Sequence, residues 1–174
     1  MTISRRIFLG AALALPLEPL AQGRCGGPTP RDMEGPFYKP GAPRRASLVE
    51  PGSKAPRLIL TGVVVSADCR PLAEPTLDFW HAAESGDYDH EGFRYRGVVI
   101  TDAEGRYRLE TNLPPPYFGR PRHIHVKVQR PGGRTLTTQL YFPGESRGAA
   151  RELVVRIERR EGVLHAEFDF VLAA

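Results

Sequence analysis

Eight short runs rich in β-branched residues, with no convincing long helix between them, set the narrowest limit on how this chain folds. They cover 57–66, 76–82, 98–101, 107–111, 124–130, 135–142, 152–158 and 163–170, and tight turns such as Asp102-Ala103-Glu104-Gly105 punctuate them. In the last run Leu164, Ala166, Phe168 and Phe170 alternate with Val163, His165, Glu167 and Asp169, the period-two pattern of a sheet with one buried face. Strands without helices bury that face against another sheet. The expected fold is therefore all-β, an antiparallel β-sandwich whose loops carry the chemistry.

The sandwich has a preface. Residues 26–56 are rich in Pro and Gly and lack periodicity, which predicts an extended N-terminal arm wrapped over the domain. Ahead of it, Ser4-Arg5-Arg6-Ile7-Phe8-Leu9 and the apolar run from Gly10 to Leu17 have the layout of a twin-arginine signal peptide. That apolar run is too short to span a bilayer. The organisation read from sequence is a signal over 1–22, cleaved near Ala21, an arm over 23–56 and a β-sandwich over 57–174. This predicts export to the periplasm or the exterior, with no stable membrane span after cleavage. Cys25 and Cys69 are the two cysteines, and both a disulfide and two free thiols stay open on spacing alone.

At 174 residues, with 41% hydrophobic and 25% charged, the chain is one domain large enough for a sizeable core. Its net charge of +4 comes from scattered arginines and not from a basic stripe, which argues against nucleic acid as a partner. The modest positive field favours anionic substrates.

Chemistry concentrates in Tyr117-Phe118-Gly119-Arg120-Pro121-Arg122-His123-Ile124-His125. On a strand, His123 and His125 share a face, while Pro121 marks the strand's entrance and leaves Tyr117 on the preceding loop. Hard phenolate oxygen with imidazole nitrogen suits iron(III) better than zinc. A second phenol, Tyr88, is presented by the loop that turns at Gly86. Gln139 stands mid-strand where an aliphatic residue is the default. A surface role is expected for His81 and His90.

Glu34-Gly35-Pro36-Phe37-Tyr38, Asp78-Phe79-Trp80 with Gly86-Asp87-Tyr88-Asp89, Arg96-Gly97 with Thr101-Asp102 and Gly105-Arg106-Tyr107, the Arg120–His125 block and Gln139-Leu140-Tyr141-Phe142-Pro143-Gly144 occur in that order. Together they resemble the intradiol ring-cleavage dioxygenases, the family of protocatechuate 3,4-dioxygenase and catechol 1,2-dioxygenase, over about residues 32–170. The resemblance implies a non-haem iron(III) held by Tyr88, Tyr117, His123 and His125. It also implies cleavage of a catechol-type substrate by O2, between the hydroxylated carbons, to a cis,cis-muconate. Arg120 and Gln139 are then expected to stabilise negative charge building on the substrate. Tyr117 is expected to leave the metal when substrate chelates and to serve as a base. A homo-oligomer or a second subunit stays open, as does the identity of the catechol. Two other readings are a non-catalytic β-sandwich binding module and a metalloprotein that sequesters catechols.

Overall fold

The computed structural model describes residues 25–144 and 150–173. The proposed signal peptide, with its cleavage point, lies outside the described residues. Among the described residues nine strands form two packed sheets: β1 Arg57–Ser66, β2 Thr76–Trp80, β3 Arg96–Ile100, β4 Arg106–Asn112, β5 His123–Gln129, β6 Leu136–Tyr141, β7 Arg156–Arg160, β8 Val163–Glu167 and β9 Phe170–Leu172. One sheet runs β4-β1-β8-β7, with β9 also on β1; the other runs β3-β2-β5-β6 and is antiparallel throughout. The all-β sandwich expected from the strand pattern is the fold observed. Within the first sheet, β8 and β9 pair with β1 in parallel.

Two predicted strands are drawn differently. The run 163–170 is broken into β8 and β9, because Phe168 and Asp169 cross over Gly62: the Phe168 amide donates to the Thr61 carbonyl at 2.9 Å, and the Asp169 carboxylate accepts the Val63 amide at 3.0 Å. A Cβ on Gly62 would lie 1.7 Å from the Phe168 carbonyl oxygen, so the crossing requires glycine. The run 152–158 is instead a single 3-10 turn, Arg151–Leu153, followed by β7. The turn drops Leu153 into the core, and Val155 bonds the Tyr141 carbonyl before pairing with β8 begins.

Leu58, Leu60, Leu77, Phe79, Leu109, Ile124, Val126 and Leu140 fill the space between the sheets. Alternation then sends the intervening residues of β2, β5 and β6 to the outer face of the second sheet, and the arm covers that face. Arm and edge strands are joined by main-chain bonds: Asp32 to Thr137, Val98 to Pro43, and Leu48 to Glu110. Leu48 is fully buried. A Cys25–Cys69 disulfide ties the start of the described arm to the loop after β1, which decides between the two states left open by spacing. Among the described residues no helix is long and apolar enough to cross a membrane.

Candidate metal centre

Strand register builds the site. His125 of β5 is paired with Trp80 of β2 on one side and Gln139 of β6 on the other, and His123 is paired with Tyr141. Paired residues share a face, so these five side chains stand together on the outer face of the second sheet, beneath the arm. Two loops add the phenols. The loop after β2 is tightened by the Ala83 amide on the Asp87 carbonyl and by the Gly86 amide on the Ala83 carbonyl, and it delivers Tyr88 buried. The Asp89 carboxylate accepts the amides of Glu91, Gly92 and Arg94 and holds the rest of that loop. The loop before β5 turns at Phe118-Gly119, closed by the Arg120 amide on the Tyr117 carbonyl at 2.8 Å, which brings Tyr117 and Arg120 to the same rim.

Three donor atoms converge. His123 Nε2 and His125 Nε2 are 3.2 Å apart, and the Tyr88 hydroxyl is 3.1 Å from His125 Nε2 and 3.5 Å from His123 Nε2. Two nitrogen ligands about 2.1 Å from one ion at a right angle are separated by about 3 Å, so the spacing fits a shared cation. The His123 Nδ1 hydrogen is donated to the Pro121 carbonyl at 2.6 Å, which leaves Nε2 with its lone pair facing the meeting point. Tyr117 completes the ring of aromatic groups, its centroid 5.6 Å from those of both Tyr88 and His123. Among the described residues no group of three or more His, Cys, Asp or Glu side chains has the spacing to hold a metal. With the neighbouring Tyr117 the set would be two phenols and two imidazoles, which suits a hard trivalent ion.

Burial keeps these groups neutral. His123 is pushed down to about 4 by burial, partly opposed by its bond to Pro121. His125 is pushed down to about 2 by burial and then by the neighbouring His123 and Arg120. Burial, with the Tyr117 phenol beside it, raises Tyr88 well above the ordinary phenol range. Neutral imidazole is the form that ligates metals.

Trp80 and the arm close the back. The Trp80 indole stacks on His125 at 4.8 Å and 7°, Tyr38 packs on Trp80, and Phe37 stacks on Tyr88 at 4.6 Å. Gly35, at φ +72°, comes so near that an added Cβ would lie 3.3 Å from His125 Cε1. Arg120 donates from Nη2 to Gln139 Oε1 at 2.7 Å, and its Nη1 is 3.4 Å from His123 Nε2. Outside the donor cluster is an open cleft of about 560 Å³ walled by Tyr117, Phe118, Arg120 and Pro121. The structure thus brings together all six sequence-predicted site residues, Tyr88, Tyr117, Arg120, His123, His125 and Gln139.

The sequence profile of the dioxygenase family matches residues 33–173. The chain belongs to the intradiol ring-cleavage dioxygenase family. It is 32% identical over 173 residues to the chlorocatechol 1,2-dioxygenase of Pseudomonas sp. strain P51, covering 80% of this chain and 68% of that one. With the catechol 1,2-dioxygenase of Acinetobacter baylyi the identity is 36% over 146 residues, 67% of this chain and 47% of the relative's length. One solved structure superposes with a TM-score of 0.81 and 44% identity over 84% of this chain and 99% of its own. It is the dioxygenase domain of a dioxygenase carbohydrate-binding fusion from Streptomyces sp. SirexAA-E.

His81 departs from its expected surface role. It is buried against the Tyr95 ring, its Nδ1 hydrogen donated to the Ala82 carbonyl at 2.8 Å and its Nε2 accepting the Thr111 hydroxyl at 2.7 Å. The end of β2 breaks the strand alternation at this residue, so periodicity gave no warning. His90 is exposed, as expected, and meets the edge of Phe37. Asp32 and Tyr141 escaped sequence reasoning, although Tyr141, two residues beyond Gln139 on one strand, shares its face by period alone.

Proposed function

We propose that the chain holds iron(III) on Tyr88, Tyr117, His123 and His125. The reaction is cleavage of a catechol-type ring by O2 between its two hydroxylated carbons, giving a cis,cis-muconate. The observation that carries this reading is the meeting of the Tyr88, His123 and His125 donor atoms within 3.5 Å, with His123 already locked in the ligating tautomer. When bound, the iron supplies Lewis acidity that draws electron density out of the catecholate.

The chain's own residues do the rest. Trp80 and Phe37 exclude water from the back of the site and hold the rings of His125 and Tyr88 in place. Tyr117 is half-buried and lies between the donors and the cleft. As a phenolate its oxygen would be placed there to take a catechol proton. The Arg120 guanidinium stands on the same wall and stabilises the negative charge that builds on the substrate.

The test is oxygen uptake by iron-loaded protein with catechol, protocatechuate, hydroxyquinol and chlorinated catechols. We expect a red-to-burgundy protein and muconate products. A colourless protein after reconstitution removes the tyrosinate–iron reading, and a coloured one that binds catechol without consuming oxygen is a sequestering protein. A Tyr117→Phe variant that keeps iron yet deprotonates bound catechol at the normal rate would sink the assignment of Tyr117 as base.

Export is also proposed. The twin-arginine segment and a structural disulfide both suit an oxidising compartment. Protein found in the cytoplasmic fraction with reduced Cys25 and Cys69 would overturn it.

A further inference from the structure

Beside the metal donors a line of polar side chains leads from the arm to the rim of the cleft. Asp32 of the arm accepts the Tyr141 hydroxyl at 2.8 Å. That hydroxyl is also 3.2 Å from Gln139 Oε1, the atom that accepts Arg120 Nη2 at 2.7 Å. The other end of the amide, Gln139 Nε2, donates to the Met33 carbonyl at 2.6 Å. A carbonyl only accepts, so Met33 sets which way the amide faces: nitrogen to the arm, oxygen to the arginine. Tyr141 and Gln139 are both buried on β6, and the arm is held to the same strand by the Asp32 amide on the Thr137 carbonyl at 3.0 Å.

The geometry has a chemical meaning. Gln139 has its carbonyl on Arg120 and an amide hydrogen on Met33, so it acts on the guanidinium and not directly on substrate. An arginine at an open rim loses considerable rotamer freedom when it is fixed in one orientation, and a buried acceptor offsets that loss. Its contact to His123 Nε2 requires the lone pair that a cation would take. The grips that survive metal binding are Gln139 and the Tyr141 oxygen, whose hydrogen goes to Asp32.

We propose that Asp32 and Tyr141 are positioning residues. Asp32 takes the Tyr141 hydrogen, so the Tyr141 oxygen stands beside Gln139 Oε1 as a second acceptor for the Arg120 guanidinium, and docking of the arm decides where the arginine's charge stands over the cleft. The kinetic consequence rests on the dioxygenase reading, whereas the positioning itself does not, and the two are measured separately.

In the full chain without iron, the Gln139 amide and Arg120 guanidinium protons should exchange slowly with solvent by NMR. Tyr141→Phe, which removes the hydrogen bond to Asp32, and Asp32→Asn, which replaces its charged acceptor by a weaker neutral one, should each speed that exchange by about fivefold or more while backbone protection along β6 stays. In the iron-loaded enzyme the same changes should lower kcat about five- to tenfold with KM within about twofold. In an Arg120→Lys background, Tyr141→Phe should then add less than about twofold, because its effect runs through the arginine. Unchanged exchange, or losses that multiply in full with Arg120→Lys, would overturn the proposal. If Tyr141→Phe does not fold, Asp32→Asn at its half-buried arm position carries the same measurements. An iron-loaded wild type that turns over no catechol refutes the dioxygenase reading and leaves the exchange result to decide the positioning role.

Discussion

The molecule has two buried regions, and they are buried for opposite reasons. Between the sheets lie leucines, valines and phenylalanines with almost no polar atoms, a core that loses nothing by leaving water. On the outer face of the second sheet the arm covers His123, His125, Tyr88, Gln139 and Arg96, groups that all lose hydration when covered. Among the described residues both terminal guanidinium nitrogens of Arg96, and Trp80 Nε1, are left there without a hydrogen-bond partner. Apolar burial stabilises the fold, while polar burial prepares groups for a ligand at the fold's expense. The difference teaches where stability ends and function begins within a single sheet, because the two regions use alternate residues of the same strands.

The largest expected effects separate the regions outright. His125→Ala should remove iron binding and reduce oxygen uptake by about 1,000-fold or more, with a melting temperature unchanged or raised in the metal-free protein. Loss of folding together with loss of metal would show that the outer face is structural after all. Leu109→Ala, between the sheets, should do the reverse. It should cost about 2–5 kcal/mol of stability in denaturant titration, while protein that remains folded still takes up iron.

His81 sits in the seam between the regions and gives the next test. Burial holds it at about 4 in the folded chain against about 6.5 when exposed. Between these values the unfolded chain binds a proton that the folded chain does not, so stability is full above pH 6.5 and is lost as pH falls toward 4. The total is on the order of 3 kcal/mol. His81→Gln keeps a donor and an acceptor at the site and should remove about one proton per molecule from the pH dependence of unfolding. An unaltered slope would show that His81 ionises as freely in the folded chain as in the unfolded one.

The two regions were unequally legible in the sequence. Alternation in 163–170 and the β-branched runs announced a sandwich, because apolar periodicity is the same physics that fills its core. The donors were legible as a motif, and His123 and His125 as one face of a strand. The break at Gly62 was hidden, since a glycine within a strand shows that a close approach is allowed and not what approaches. The arm was hidden in a different way. Its residues have no period, and its function depends on contacts with β5 and β6, whose partner residues lie about a hundred positions away, as Met33 and Gln139 do. The Cys25–Cys69 bond was undecidable for the same reason, because proximity of the two thiols is set by how the arm is laid.

The smallest predicted effect is the most informative about that arm. Gly35 combines a left-handed backbone with contact on the ring of His125, so Gly35→Ala imposes both a conformational cost and a push. The backbone term for a single residue with a Cβ in that region is about 1–2 kcal/mol, a modest loss for the whole domain. The push is directed elsewhere. A methyl 3.3 Å from Cε1 needs the arm to lift or the imidazole to tilt by a few tenths of an ångström, and either loosens the donor cluster without touching the core. We therefore expect iron affinity to fall several-fold, measured by competition with a chelator, with a shift of only a few degrees in melting temperature. Equal affinity in both proteins would mean that the arm covers the donors without shaping them, and would reduce it from a wall of the site to a lid over the sheet.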